Sequence, residues 1–188
     1  MSKESKHLGL KDRYEQEIRP TMKKELGVKS GMAVPKITKV VINMGTGDRL
    51  KNKDVKEKLM KDIALITGQA PKVQAARISV AGFGIREGNP VGLTVTLRRG
   101  RMYDFLERLI SVVLPRLRDF RGVPLKGLDS HGNYTLGFRD YSVFPEIDIA
   151  KLDNTQGFEL TIVTNTKDKD QSKQLLTLVG MPFEKEDA

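Results

Sequence analysis

The stretch VGLTVTLR, residues 91–98, alternates apolar and polar side chains without a break. Such alternation is typical of a β-strand that has one face in a core and the other face open. The apolar set is Val91, Leu93, Val95 and Leu97, and the polar set is Gly92, Thr94, Thr96 and Arg98. The segment therefore predicts a strand of a half-exposed sheet, with Thr96 and Arg98 on its open side.

The segment after this strand predicts an amphipathic helix. Its apolar residues recur at helical spacing until Pro115, as Met102, Phe105, Leu106, Leu109, Ile110 and Val113. Because full burial of each large apolar side chain contributes about 1.5 to 3 kcal/mol, we expect this helix to anchor the core.

Another strand is predicted upstream, from Lys36 to Met44, where β-branched residues are frequent. The residues of one parity are Val40, Ile42 and Met44, and those of the other are Lys39, Val41 and Asn43. Because alternate side chains of a strand point to opposite faces, Lys39 and Asn43 are expected on an open face.

The N-terminal part predicts a helix from Leu10 to Leu26 that Pro20 kinks or divides, with a cap at Gly27. Asp54, followed three residues later by Glu57, forms a capping-box pattern before a second helix. The other predicted elements are the end of that helix at Gly68, strands at Pro71 to Ala75, Tyr134 to Phe138 and Phe158 to Thr164, a turn at Gly132-Asn133, and a helix between Asp168 and Gly180.

These elements predict an α+β fold, because strands with one polar face are interspersed with helices. We expect residues 1–188 to form a single domain with a mainly antiparallel sheet. Helices should pack on one face of that sheet and leave the other face available to a partner.

A long connection separates the strands near residues 75 and 91. It contains Gly82, Gly84 and Gly88 together with Arg77 and Arg86, and it has few apolar residues at regular spacing. We expect a mobile basic loop over about residues 76–90, and flexible ends over about residues 1–8 and 184–188.

The charge of the chain favours a polyanionic partner. Thirty-three Lys and Arg against twenty-four Asp and Glu give a net charge of +9, with a pI near 9.7. Solubility alone is the simpler explanation of such a charge. Membranes are disfavoured, because no apolar run approaches the roughly 20 residues of a span and no helix combines a basic face with a large apolar one. Nucleic acid is the favoured partner.

The sequence has no cysteine, and its N-terminus lacks the apolar core of a signal peptide. We therefore expect no disulfides and a cytoplasmic protein.

No catalytic constellation is recognisable, so we predict neither an enzyme nor any cofactor or metal. His7 and His131 have no ligand partners at metal-binding spacing, and they are expected to be solvated. Glu146 and Asp148 are close in sequence but lack a third ligand. The Gly45-Thr46-Gly47 turn lies where a dinucleotide fingerprint would lie, but Leu50 replaces the third glycine. A nucleotide-using enzyme built around this turn remains the alternative, which stabilisation by mononucleotides would indicate.

The open strand faces suit RNA, whose exposed bases are recognised by hydrogen bonds and by stacking on aromatic side chains. Asn43 and Thr96 lie on such faces by parity. The basic-aromatic stretches Arg98 to Tyr103 and Arg116 to Arg121 add phosphate-contact candidates, although Phe105 and Phe120 are expected in the core. A free-standing RNA chaperone, or a regulator of its own messenger, would use the same surface.

Seven strings in order over roughly residues 10–183 resemble the bacterial L-five family of large-subunit ribosomal proteins. They are VPKITKVVINMGTGD, ITGQAPKV, SVAGFGIREGNPVGLTVTLRRGRMYDFLERLI, LPRLRDFRG, GNYTLG, VFPEID and GMPF. The resemblance implies a ribosome-bound protein that binds 5S rRNA, fixes it to the large-subunit rRNA in the central protuberance, and contacts neighbouring proteins there. It also implies contact with the P-site tRNA and a bridge to the S-thirteen protein of the small subunit.

The resemblance also implies site residues. The family's 5S rRNA surface corresponds to Asn43, Gln69, Phe83 and Thr96, to which the parity argument adds Lys39 and Arg98 as rRNA-binding candidates. The tRNA-contact loop would use Arg77, Ser79, Gly82, Gly84 and Arg86.

The sequence departs from the family pattern at two places. Ile78 stands where a second basic residue is common, so the loop loses one positive charge. Arg98-Arg99-Gly100 stands where the family usually has a single arginine before the glycine.

Overall fold

The computed structural model describes residues 8–117, 120–148 and 156–184, and within these ranges it forms a five-stranded sheet and four helices. The strands are β1 (Ile37–Gly45), β2 (Lys72–Ala75), β3 (Pro90–Leu97), β4 (Tyr134–Phe138) and β5 (Phe158–Thr164), in the spatial order β2-β3-β1-β5-β4. Strand β3 runs antiparallel to both β1 and β2. The predicted α+β class with an antiparallel sheet is confirmed.

Two of the helices contain turns that are not α-helical. Helix α1 consists of the α-helical segments Leu10–Arg13 and Arg19–Glu25, joined by the π-helical turn Tyr14–Ile18. Helix α3 (Arg99–Arg108) continues through the π-helical turn Leu109–Val113 and the 3-10 turn Leu114–Arg116. The other helices are α2 (Lys53–Thr67) and α4 (Lys169–Val179).

The two prolines in these helices act differently. Pro20 is the second residue after the π-helical turn of α1, and the helix is divided there as predicted, because proline cannot donate a hydrogen bond to the preceding turn. The apolar stripe of α3 ends at Pro115 as predicted, since the α- and π-helical part stops at Val113 and only the 3-10 turn Leu114–Arg116 follows. This proline occupies the start of a 3-10 turn, where its missing N–H needs no partner.

The chain forms two compact units. The helical unit comprises Met1–Lys39, Arg98–Tyr134 and Val163–Ala188, and the sheet unit comprises Val40–Leu97 and Thr135–Ile162. Most of the two ends that the sequence predicts to be flexible lies outside the described residues. Arg118 and Asp119, in the predicted basic-aromatic stretch, also lie outside them.

The helical unit is held together where α1 meets α3 and α4. The backbone N–H of Leu10 donates to Glu107 Oε2 at 3.0 Å, which caps α1 from another helix. The hydroxyl of Tyr14 donates to the Pro35 carbonyl at 2.9 Å, and its ring lies 6.1 Å from that of Tyr103. Burial, with a smaller contribution from Tyr103, raises the pKa of Tyr14 to about 12. Tyr14 is therefore held neutral in the core.

The sheet unit buries one side of its strands and covers β3 with α2. The buried apolar strand residues are Val40, Ile42, Met44, Leu93, Val95 and Leu97, as the alternation predicts. The prediction is wrong at the start of β3, where Val91 is only half-buried and Gly92 is buried. Leu59, Ile63 and Ile66 of α2 are buried as well. A helix therefore supports the apolar side of these strands.

The start of α2 differs from the prediction. Asn52, not Asp54, is the N-cap, and its side-chain oxygen accepts from the Asp54 N–H at 3.0 Å. The 3-10 turn Gly47–Lys51 precedes this cap, and the helix therefore begins two residues before the position that an N-cap at Asp54 would give. The predicted end is confirmed, since Gly68 has the left-handed φ of 66° that a C-terminal cap requires.

Candidate nucleic-acid interface

The open face of the sheet unit brings together two of the predicted RNA-binding residues. Asn43 pairs with Thr94 and Val41 pairs with Thr96 in the β1–β3 register. Because directly opposite residues of an antiparallel pair project to the same face, Asn43 and Thr96 share the side opposite the buried apolar residues. Asn43 is exposed and Thr96 is half-buried. The parity argument placed both residues correctly.

The register also reveals two residues that the predicted set omits. Lys72 of β2 pairs with Thr94 of β3, which in turn pairs with Asn43 of β1. An exposed cation, a hydroxyl and an amide therefore form one row across three strands, which we call the polar row (Lys72, Thr94 and Asn43). Thr94 already lies on the polar parity of β3, but Lys72 joins the row only through the β2–β3 pairing. The sequence of a four-residue strand does not specify that pairing.

Gln69 is attached to this face from the end of α2. Its Nε2 donates to the Thr96 carbonyl at 3.4 Å, and its own carbonyl accepts from the Thr67 hydroxyl at 2.9 Å. Its Oε1 has no hydrogen-bond partner among the described residues, so this atom remains an acceptor for a ligand. The structure thus places Gln69, which only the family resemblance indicated, beside Thr96.

Lys39 and Arg98 belong to the helical unit. Lys39 is half-buried in β1, and Arg98 is exposed as the N-cap of α3, where its side chain makes no capping hydrogen bond. Neither side chain forms an ion pair within the part of the chain that the structure describes. Arg99, at the departure from the family pattern, has a φ of 56°, in the left-handed region that non-glycine residues rarely adopt.

The loop over residues 76–90 is a hairpin with its own hydrogen bonds. Val80 and Ile85 exchange two backbone hydrogen bonds, of 2.8 and 3.2 Å, and the Ala81–Phe83 turn connects them. Gly84 follows this turn with a φ of 61°, which a side chain would strain. The hydroxyl of Ser79 accepts from the Glu87 N–H at 2.9 Å, so Ser79 shapes the hairpin.

The hairpin exposes both cations and apolar groups. Arg77 and Arg86 are exposed and have no ion-pair partner among the described residues. Phe83 is 77% exposed and Ile78 is 73% exposed. An aromatic ring so accessible at a hairpin turn suits base stacking, which contributes about 1 to 3 kcal/mol per base. Gly82 has open space around it, so its backbone is accessible to a ligand.

The remaining residues that the sequence analysis considered are aromatic side chains of the basic stretches, the histidines and a turn residue. Phe105 is buried, as expected, whereas Phe120 is half-buried. His131 is exposed, and His7 lies outside the described residues. Asp129 anchors the Gly132-Asn133 turn. Desolvation would raise its pKa, but hydrogen bonds from Asn133 and His131 lower it.

Within the described ranges, no group of three or more His, Asp or Glu side chains is arranged to bind a metal ion. None of the helices in those ranges is long and apolar enough to cross a membrane.

Known families and proteins resemble this chain over most of its length. Two family models match in succession, ribosomal protein L5 over residues 30–86 and the C-terminus of the same ribosomal family over residues 90–183. The large ribosomal subunit protein uL5 of Acidobacterium capsulatum is 51% identical over 174 residues, which cover 93% of this chain and 96% of that protein. The protein of the same name from Desulfatibacillum aliphaticivorans is 46% identical over 176 residues, covering 94% and 98%.

Proposed function

The chain belongs to the ribosomal protein L5 family, a non-enzymatic family of the large ribosomal subunit, and we propose that it binds 5S rRNA through the open face of its sheet unit. The observation that carries this proposal is the polar row, with Thr96 beside it on the same face. Family membership also removes the alternative of a nucleotide-using enzyme.

The chemistry of the open face fits structured RNA. The amide of Asn43 both donates and accepts, so it matches the mixed hydrogen-bonding edge of a base or a ribose 2′-hydroxyl. Lys72, at the outer end of the polar row, is placed to neutralise a phosphate. Phe83 provides a ring for stacking. Phosphate contacts would supply most of the affinity, and the hydrogen bonds would select the RNA.

We further propose that the hairpin over residues 76–90 contacts the P-site tRNA. Arg77 and Arg86 would neutralise phosphates, and the accessible backbone at Gly82 and Gly84 would allow close approach. Ile78 adds no charge, so this contact depends on the two arginines.

The remaining parts of the proposal concern the assembly. The protein would sit in the central protuberance of a cytoplasmic ribosome, attach 5S rRNA to the large-subunit rRNA, contact neighbouring proteins and bridge to the S-thirteen protein. Family membership supports this placement. Co-sedimentation with large subunits in high-salt gradients tests it, since a free-standing RNA chaperone or messenger regulator would stay at the top.

The sheet-face proposal is tested by the double variant Asn43→Ala, Thr96→Ala. Loss of two hydrogen bonds, each contributing about 0.5 to 1.5 kcal/mol, should weaken 5S rRNA binding by about tenfold. Circular dichroism and thermal unfolding should remain close to wild type, because Asn43 is exposed and Thr96 is half-buried.

The matched control is Thr177→Ala, which removes an exposed hydroxyl from α4 in the helical unit. This variant should retain wild-type 5S rRNA affinity. Unchanged affinity in the double variant would refute the assignment of the sheet face.

A further inference from the structure

Four cations lie together near the start of α3. Lys39 and Arg98 each lie one residue from the paired residues Val40 and Leu97, so these two cations are neighbours. The first turn of α3 adds two more arginines. All four cations belong to the helical unit. We call this cluster the basic corner, which consists of Lys39, Arg98, Arg99 and Arg101.

The charges of the basic corner are not neutralised by carboxylates. Its three arginines are exposed, and Lys39 is half-buried. Among the described residues, none of the four cations forms an ion pair. Asp104, the next carboxylate along α3, is exposed and makes no ion pair with them within the same ranges. The positive charge of this corner therefore remains available to an anionic partner.

Arg99 has an unusual backbone conformation. Its φ of 56° is the only positive value of a non-glycine residue in the part of the chain that the structure describes. Glycine adopts this region without strain, whereas a side chain makes it costly. Gly100, the next residue, does not have a positive φ. The chain thus carries a long charged side chain where glycine would be relaxed, and such retained strain points to a function of that side chain.

The chemistry of the basic corner fits the backbone of RNA. Arginine presents a planar fork of donors that makes two parallel hydrogen bonds to one phosphate, which lysine cannot do. Three such forks within four residues suit a polymer that offers one phosphate per nucleotide. The chain belongs to a family of the large ribosomal subunit, so rRNA is the polyanion that it meets.

We propose that the basic corner binds the phosphate backbone of a second RNA segment, and that Arg99 is the residue adapted to this contact. The proposal rests on the proposed function, in which the open face of the sheet unit binds 5S rRNA while large-subunit rRNA has no assigned surface. The second segment is a helix of large-subunit rRNA. Its recognition depends on charge and helix shape and not on sequence, because phosphates carry no sequence information.

A salt titration of the full-length chain with an RNA duplex of about 16 base pairs tests this contact. The triple variant Arg98→Ala, Arg99→Gly, Arg101→Ala should weaken binding at least about tenfold. It should also make the slope of log Kobs against log salt shallower by about 2 to 3, since each phosphate contact contributes about 0.7 to 0.9. An unchanged slope would overturn the proposal and leave the corner to an acidic protein partner.

A matched control removes the same charge from elsewhere in the helical unit. Lys167, Lys169 and Lys173 are exposed cations in and beside α4. Their triple replacement by alanine should change the slope by less than about 1, since it removes no phosphate contact. An equal effect of the two triple variants would reduce the basic corner to general charge attraction and refute the site.

Two substitutions of Arg99 separate its contact with RNA from its place in the fold. Arg99→Gly relieves the backbone strain, so its Tm should equal or exceed that of the wild type, while duplex binding weakens about tenfold. Arg99→Lys keeps the charge and should bind more tightly than Arg99→Gly. A lower Tm of the glycine variant would make the role of Arg99 structural, and wild-type affinity of that variant would remove Arg99 from the contact.

The two RNA surfaces are distinguished by occupying both. Protein saturated with 5S rRNA should still bind the duplex, and the Asn43→Ala, Thr96→Ala variant should bind the duplex like the wild type. Displacement of the duplex by 5S rRNA would show a shared surface and overturn the proposal. If the double variant keeps its 5S rRNA affinity while the basic-corner variants lose the duplex, only the assignment of 5S rRNA to the open face fails.

Discussion

At the scale of single residues, Asn43 has a different role from the buried side chains around it in β1. Ile42 and Met44, its neighbours, are almost completely buried and contribute apolar area to the sheet unit. Asn43 contributes no such area, and its exposed amide faces the same side as Thr94. We therefore expect its replacement to change RNA binding much more than folding.

Tyr14 gives the fold a dependence on alkaline pH. Its pKa is raised from 10.0 to about 12 in the folded state, chiefly by burial. Because the unfolded chain then releases this proton more readily than the folded chain, the stabilisation is complete below about pH 10. It is lost as the pH rises from about 10 to about 12. The free energy of unfolding in urea should fall over this interval.

Tyr14→Phe tests this linkage. The variant loses the hydrogen bond to the Pro35 carbonyl, so it should be less stable by about 0.5 to 1.5 kcal/mol at pH 8. Its loss of stability above pH 10 should be shallower than that of the wild type, although Tyr134, whose pKa burial also raises to about 12, keeps part of the slope. Identical slopes in the two proteins would refute the role of Tyr14.

How far the sequence predicts the candidate site differs from residue to residue. Asn43 and Thr96 follow from strand parity alone, since burial alternates strictly from Val40 in β1 and from Leu93 in β3. Gln69 has no periodic signal, because it lies just beyond the end of a helix and reaches Thr96 only in the folded chain. Lys72 depends on strand pairing, which joins residues more than 20 positions apart.

At the scale of elements, the boundaries of α2 show what local signals determine. Its end was predictable, because Gly68 adopts the positive φ that glycine permits. Its start was not, since Asn52 and Asp54 are both good N-caps and only the preceding 3-10 turn distinguishes them. The π-helical turns of α1 and α3 had no distinct sequence signal either.

The N-cap of α2 is tested by comparing two substitutions. Asn52→Ala should destabilise the protein by about 0.5 to 2 kcal/mol, because the Asp54 N–H loses its acceptor. Asp54→Ala should cost about 0.3 to 1 kcal/mol, since it removes only a favourable charge from the first turn. Chemical denaturation measures both values. A larger loss of stability for Asp54→Ala than for Asn52→Ala would contradict the N-cap at Asn52 and support the predicted capping box of Asp54 and Glu57.

At the scale of the whole molecule, the strand order β2-β3-β1-β5-β4 could not be predicted from the sequence. Local patterns identify each strand, but the order arises from long-range pairing, for example of Ile42 with Val95. The fold class needed less information, because half-polar strands interspersed with helices already favour an α+β sheet. The division into two compact units has no linker or change of composition that would mark it in the sequence.

The net charge of +9 belongs to this scale as well. The charge indicates a polyanionic partner but selects none, whereas the polar row and the exposed hairpin are the surfaces that we propose for RNA binding. Affinity that arises mainly from phosphate neutralisation must depend on salt, while selectivity for one RNA must depend on its shape and on a few hydrogen bonds.

The most direct test of the proposed 5S rRNA interaction is a titration of the protein with 5S rRNA at several salt concentrations, alongside an unrelated structured RNA of similar length. We predict that log Kobs for 5S rRNA falls linearly with log salt, with a slope near −0.7 to −0.9 per phosphate contact. The unrelated RNA should bind more weakly at every salt concentration. Binding that is independent of salt, or equally tight to both RNAs, would contradict the proposal.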